Sequence, residues 1–341
     1  MTVKTSASGT SPARLVAAAL LAISLALPGL IAPSPAHGDT AFLRELRARN
    51  AHHFAKPLTL AKAKKPPGIE REWEEKLKRK SWKLSSGPLA VEITLKKGGP
   101  PDASLYVSPL LSLKVGGSQV LSVEGGESLP DNPIFLVQIA ELDPGNPYAE
   151  VVFSVFTGGA HCCSDTRVLA SSPDGKTWAD IEAGMYDGGP LGVSDLDGDG
   201  RYEFSMHDNA FLYTFSCYAC STAPFHVLQL ANGKLVDAST APAFRDRHVD
   251  ALRRMVERAD ADMDINGFLA GYVAQKILLG EGAQAWKFMA KHYERKTGWG
   301  LETCSVKQND KGECPPGKMV KLNFPDALER FLKEAGYKLD K

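Results

Sequence analysis

Charge of one sign is what this sequence most lacks. In 341 residues, 40 Lys and Arg stand against 40 Asp and Glu, so nothing pulls the chain as a whole toward nucleic acid or an anionic membrane. Catalytic signatures are missing too. There is no Gly-x-Ser-x-Gly, no His-Glu-x-x-His and no phosphate-binding glycine loop. Past the first 36 residues no apolar run is long enough to span a bilayer. Cysteine is scarce, at six residues, but the even number matters once the compartment is known.

Residues 1–36 read as a secretion signal. Lys4 and Arg14 supply a positive start, residues 15–31 an apolar stretch interrupted by Pro28, and Ser34, Pro35 and Ala36 a small-residue cleavage site. Losing Lys4 and Arg14 leaves two more acids than bases. The mature chain is expected in the periplasm or secreted, with no transmembrane segment, and its length suits one large or two modest domains. In such a compartment an even number of cysteines suggests disulfides.

Residues 195–203 read DLDGDGRYE. Asp195, Asp197 and Asp199 alternate, Gly200 permits a sharp turn, and Glu203 falls at the ninth position. Alternating carboxylates in a tight loop suit a hard cation such as Ca²⁺, which takes about 6–8 oxygens. The loop is not an EF-hand, because its twelfth position is Met206 and a strand-like run over 204–206 follows. It resembles the calcium loops between strands of FG-GAP and VCBS repeats, the units of integrin-type β-propellers. That resemblance implies Asp195, Asp197, Asp199, Arg201 (through its carbonyl) and Glu203 as calcium ligands. It covers about residues 141–240.

Residues 37–83 read as a charged, Pro-containing leader and linker, with one short helix over 42–50. His52 and His53 fall in it and are expected to be exposed. Residues 84–242 alternate short apolar runs with Gly, Pro, Asp and Asn clusters, the pattern of antiparallel β-structure. Within them, about 141–190 repeats as about 195–242: ELDPGNPYAEVVF matches DLDGDGRYEF, and Cys163-Ser164 matches Cys220-Ser221. The first copy of the loop is degenerate. Glu141 and Asp143 remain, Gly145 replaces the third acid and Pro147 follows; it is expected to be empty, with Glu150 in a structural bond. Residues 243–341 carry helical stripes, among them Phe268, Leu269, Tyr272 and Val273. In DADMDING, Asp262 and Asp264 read as helix-capping acids. The fold class is therefore α+β: a duplicated antiparallel β-domain, sandwich or partial-propeller-like, followed by a small helical domain.

Cys304 and Cys314 flank a polar loop and are expected to pair, adding roughly 2–3 kcal/mol. The segment TGGAHCCSD, with His161, Cys162 and Cys163, and the later Cys217 and Cys220, admit three readings. They are a soft-metal site, a thiol–disulfide redox pair, or disulfides that cross-link the two repeat units. The last is preferred, because residues 212–216 read as a strand rather than a helix start, and because vicinal cysteines rarely bond each other.

The reading is a secreted or periplasmic calcium-stabilised binding or scaffold protein, more a binder than an enzyme. Its partner is expected to be a protein or glycan at the cell envelope, met first at the surface around His161. The alternatives are an envelope hydrolase using surface carboxylates and His161, or a thiol-redox or metal-binding protein using Cys162, Cys163, Cys217 and Cys220.

Overall fold

The computed structural model describes residues 40–55, 57–58, 60–72, 79–98, 106–128, 133–307, 309 and 311–340. The secretion signal lies outside them, as do Lys56 and residues 73–78 of the leader. Helix α1 (Ala41–Phe54) and strand β1 (Gly68–Arg71) come first. A meander of β2 (Ser81–Ser86), β3 (Leu89–Gly98), β4 (Tyr106–Val115) and β5 (Ser118–Glu124) forms the first sheet. The second sheet runs β6 (Phe135–Ala140), β7 (Glu150–Phe156), β8 (Cys162–Ser171) and β9 (Trp178–Asp187), with β1 added antiparallel along β6. The third is β10 (Val193–Ser194), β11 (Glu203–His207), β12 (Phe225–Ala231) and β13 (Lys234–Asp237). Helices α2 (Arg245–Arg258), α3 (Ile265–Leu278) and α4 (Gly282–His292), a hairpin of β14 (Glu302–Cys304) and β15 (Met319–Lys321), and α5 (Phe324–Glu334) complete the α+β fold.

The second sheet is the middle layer, which explains its sequence. Phe135, Val137 and Ile139 of β6, with Val151 and Phe153 of β7, pack on Ile93 and Leu111 of the first sheet. Their alternates Ala140, Val152 and Val168 pack on Phe204 and Leu230 of the third. Because side chains alternate across a strand, a sheet covered on both faces needs apolar residues at every position. Every residue of β6 is accordingly buried. The third sheet turns its other face, with Val227, to Phe244 at the start of α2. Polar groups tie the layers. The buried Gln138 accepts from the Val193 backbone N–H at 2.7 Å, and the Leu191 N–H donates to Ser154 Oγ at 2.8 Å.

The two segments read as repeats share one local feature. In each copy a buried Glu opens the strand after the loop and accepts from the loop's leucine N–H. Glu150 takes Leu142 at 2.7 Å and Asp143 at 3.2 Å, and Glu203 takes Leu196 at 3.0 Å. Desolvation pushes Glu150 up to about 7, although its bonds to Asn146, Leu142 and Asp143 work the other way.

The leader differs from its reading as a linker. Leu43 and Leu46 of α1 are buried in the helical core with Phe268, Tyr272, Val273 and Phe288. Asn50, also buried, donates to the Tyr272 hydroxyl at 3.1 Å. The stripe of Phe42, Leu43, Leu46 and Phe54 is short and interrupted by Arg44, Glu45 and Arg47, so its burial depends on a groove supplied by α3 and α4. His53 is likewise buried rather than exposed, 2.8 Å from Glu281; His52 is exposed. Residues 212–216 are not a strand. A 3-10 turn at Asn209–Phe211 leads into an irregular segment whose Phe211 and Phe215 leave the sheet and pack edge-on against Phe331.

Two outcomes check this architecture. Leu46→Ala, a cavity in the helical core, should cost about 2–5 kcal/mol in urea unfolding; a cost near zero would return α1 to the status of a linker. Glu150 is raised from an ordinary 4.5. Its contribution to stability is therefore fully present below about pH 4.5 and lost as pH rises through about 7. The loss is on the order of 3 kcal/mol. Glu150→Gln should flatten the pH dependence of the unfolding free energy in that window, and an unchanged slope would place the titration elsewhere.

Candidate functional site

The loop between β10 and β11 gathers carboxylates. Asp195, Asp197 and Asp199 each present an oxygen within 4.8 Å of the others. Asp195 is buried and accepts from the Gly198 N–H at 2.6 Å, and Asp199 accepts from the Arg201 N–H at 2.7 Å. Gly198 and Gly200 hold φ of 87° and 91°, the left-handed region that side chains rarely adopt and that lets the loop fold on itself. Glu203 lies outside this convergence, its carboxylate engaged by the Leu196 N–H and, at 3.3 Å, by Gln229. Desolvation pushes it up to about 6, with Asp197 and Asp199 adding to the shift. The Arg201 guanidinium reaches away, donating to the Leu142 and Leu230 carbonyls.

The loop is gripped from two sides. Lys64 of the leader forms an antiparallel bridge with Asp195, the Asp195 N–H donating to the Lys64 carbonyl at 3.0 Å. Arg247 of α2 donates to the Leu196 carbonyl at 2.6 Å and to the Ala61 carbonyl at 2.5 Å. In the degenerate first copy Asp143 instead accepts from the Gly145 N–H and from the Asn232 N–H of the third sheet, both at 3.0 Å.

The second site is the cysteine region. Cys217 pairs with Cys220 and Cys304 with Cys314, and the vicinal sulfurs of Cys162 and Cys163 contact each other. The cross-link expected between the repeat units is not made. Cys163 stays in β8, whereas Cys220 lies in the segment that has left the sheet, so positions equivalent in sequence are not equivalent in space, and each cluster closes on itself. The clusters still meet through side chains. His161 stacks on Tyr218 at 3.8 Å between ring centres, and its Nδ1 lies 3.2 Å from Asp187 Oδ1. Tyr218 donates to the other Asp187 oxygen, which pushes its phenol up to about 12. The Tyr213 hydroxyl lies 3.3 Å from His161 Nε2. Tyr213 holds a φ of 61°, uncommon for a bulky residue, and its carbonyl accepts from the Trp299 indole at 2.9 Å. Asp187 also lines a cavity of about 900 Å³ between the third sheet and helices α2 and α3.

His161 was visible from sequence, but Asp187, Tyr213 and Tyr218 were not. They come from two segments, the end of β9 and the irregular stretch between β11 and β12, and no local spacing announces their meeting with His161. A further His and Glu group, His52, His53 and Glu281, contains the Lys276 ammonium, bonded to Glu281 and 3.4 Å from His53. A fixed positive charge there opposes a second cation, so the group reads as an anchor for α1. Asp264 caps α3, accepting from the Gly267 N–H at 2.8 Å.

Residues 246–336, from α2 to just beyond α5, match the family described as the sll0997 C-terminal domain. A probable thylakoid lumen protein of Synechocystis sp., sll0997, is 41% identical over 233 residues, covering 67% of this chain and 68% of that protein. An uncharacterized protein of Sinorhizobium fredii, y4bJ, is 34% identical over 260 residues; the match takes in 74% of this chain and only 40% of that protein. No solved structure matches. No helix among the described residues is long and apolar enough to cross a membrane, and a lumenal relative agrees with the export read from residues 1–36. The chain belongs to the sll0997 family of exported proteins.

Proposed function

We propose that this protein is a calcium-stabilised binding protein of the periplasm or extracellular space. The observation that carries the calcium is the convergence of Asp195, Asp197 and Asp199 on one point of a glycine-turned loop. The Arg201 carbonyl and, after a rotation of its side chain, Glu203 would complete the oxygen set, as in the FG-GAP and VCBS loops the segment resembles. Calcium there would fix the loop against the Lys64 and Arg247 contacts, and so fix the third sheet to the helices. The partner, a protein or glycan, would meet the His161 face, where Tyr213 and Trp299 are about half exposed (53% and 47%) and joined by a hydrogen bond. Aromatic side chains of this kind carry a large share of binding energy at interfaces.

One observation favours a hydrolase as the second reading. Asp187, His161 and Tyr213 form a chain in which a carboxylate orients an imidazole that faces a hydroxyl, the arrangement of base and orienter that activates nucleophiles. Tyr213 is held by the same bonds that would serve an aromatic contact surface, so binding is preferred.

A thermal melt of the mature protein in EDTA and across a Ca²⁺ titration, with Mg²⁺ as control, tests the calcium. Extracellular modules bind with constants near ~0.1–1 mM, so about 1 mM Ca²⁺ should add roughly 0.4–1.4 kcal/mol by mass action. Asp197→Ala should remove the gain. No Ca²⁺-specific shift up to ~10 mM, well above those constants, would sink the assignment. A thiol titration in denaturant without reductant separates the redox reading. The structural disulfides predict no free thiol, and a substantial free fraction at Cys217 and Cys220 would favour redox chemistry.

A further inference from the structure

The cavity between the third sheet and helices α2 and α3 takes no part in the calcium loop. Its volume, about 900 Å³, falls among sites that hold small molecules. Apolar side chains enter it from both layers: Leu191, Met206 and Phe225 on the sheet side, Met255 and Phe268 on the helix side.

The charged groups on its wall are unequally engaged. The acids have internal partners. Asp187 takes Tyr218 and His161, Asp260 accepts from the Asp262 N–H at 3.0 Å, and Asp264 caps α3. Asp262 also has a partner. The bases are freer. Arg254 and Arg258 stand one turn apart on α2, both exposed. Arg254 pairs with Asp250, whereas Arg258 has no carboxylate partner among the described residues. His207 of β11 shares the cavity, held below its usual range by desolvation and then by those two guanidiniums. A neutral imidazole there offers a hydrogen bond without adding charge.

We infer that this cavity binds a small amphipathic organic anion, with its apolar body between Met206, Phe225, Met255 and Phe268 and its acidic head on Arg258 and Arg254. An arginine without a partner beside an apolar wall is complementary to a carboxylate, sulfonate or phosphate carried on a hydrocarbon. The inference goes beyond the calcium-stabilised binder and does not need it, because no residue named for the cavity belongs to the 195–203 loop.

The test uses the mature protein and two dyes. One is the anion 1-anilinonaphthalene-8-sulfonate; the other is N-phenyl-1-naphthylamine, its neutral analogue. Fluorescence titration in EDTA and again with Ca²⁺ should show one saturable site for the anion in both. Arg258→Glu should weaken the anion at least about tenfold, the size of one lost charge-assisted hydrogen bond, and leave the neutral dye unchanged. Ser205→Trp, which fills the cavity, should weaken both, with a thermal melt confirming that each variant is folded. Absence of saturable binding, or anion affinity indifferent to Arg258→Glu in a folded variant, overturns the inference. Binding that appears only with Ca²⁺ overturns its independence from the loop, whereas a failed calcium melt with intact dye binding leaves it standing.

Discussion

One guanidinium ties the leader and the acidic loop to the helices. Arg247, on the first turn of α2, donates to the carbonyls of Ala61 and Leu196. Those carbonyls belong to the leader and to the acidic loop, two segments without regular structure of their own at that point. Backbone carbonyls removed from water must find donors, and the planar, five-donor arginine head can serve both from one position. The leader, the third sheet and the helical layer are thereby fastened at a single place. The acidic loop sits in that place, which is why whatever the loop binds would be felt throughout the fold.

The stacking of sheets follows from a second constraint. A meander with one apolar face can be covered once, but β6 and β7 are apolar at nearly every position and must be covered twice. The first and third sheets supply the two covers. Exposed edges are limited because β1 pairs along β6, and the remaining faces of the third sheet and the helices close on each other around Phe244. The two segments read as copies thus lie in neighbouring layers rather than as blades of a closed ring.

Much of this was legible in the sequence. The α+β class followed from the change in apolar period near residue 245, and the alternation of Asp195, Asp197 and Asp199 pointed to their convergence. The repeat pointed to a structural bond for Glu150, which accepts from the Leu142 N–H as Glu203 does from Leu196. What was not legible has a common cause. Helix α1 carries too few apolar residues to announce a core element; its groove lies more than two hundred residues away. Asp187 meets His161 across the β8–β9 pairing, but Tyr213 and Tyr218 reach it only because residues 208–224 leave the sheet, and nothing in a local window reports that departure. The same departure separates Cys220 from its sequence counterpart in β8, which is why the cysteine clusters close locally.

The burial of α1 has a consequence for how an exported chain comes into being. Asn50 meets Tyr272 across 222 residues of sequence, so the first described helix waits for one far along the chain. Contacts this remote slow folding, and Phe42, Leu43 and Leu46 stay open to other chains in the interval. The C-terminal region 246–336, recognisable as a family domain in sequence, is for the same reason not self-sufficient in space: the apolar groove over Phe268, Tyr272 and Phe288 is sealed by a helix translated well before it.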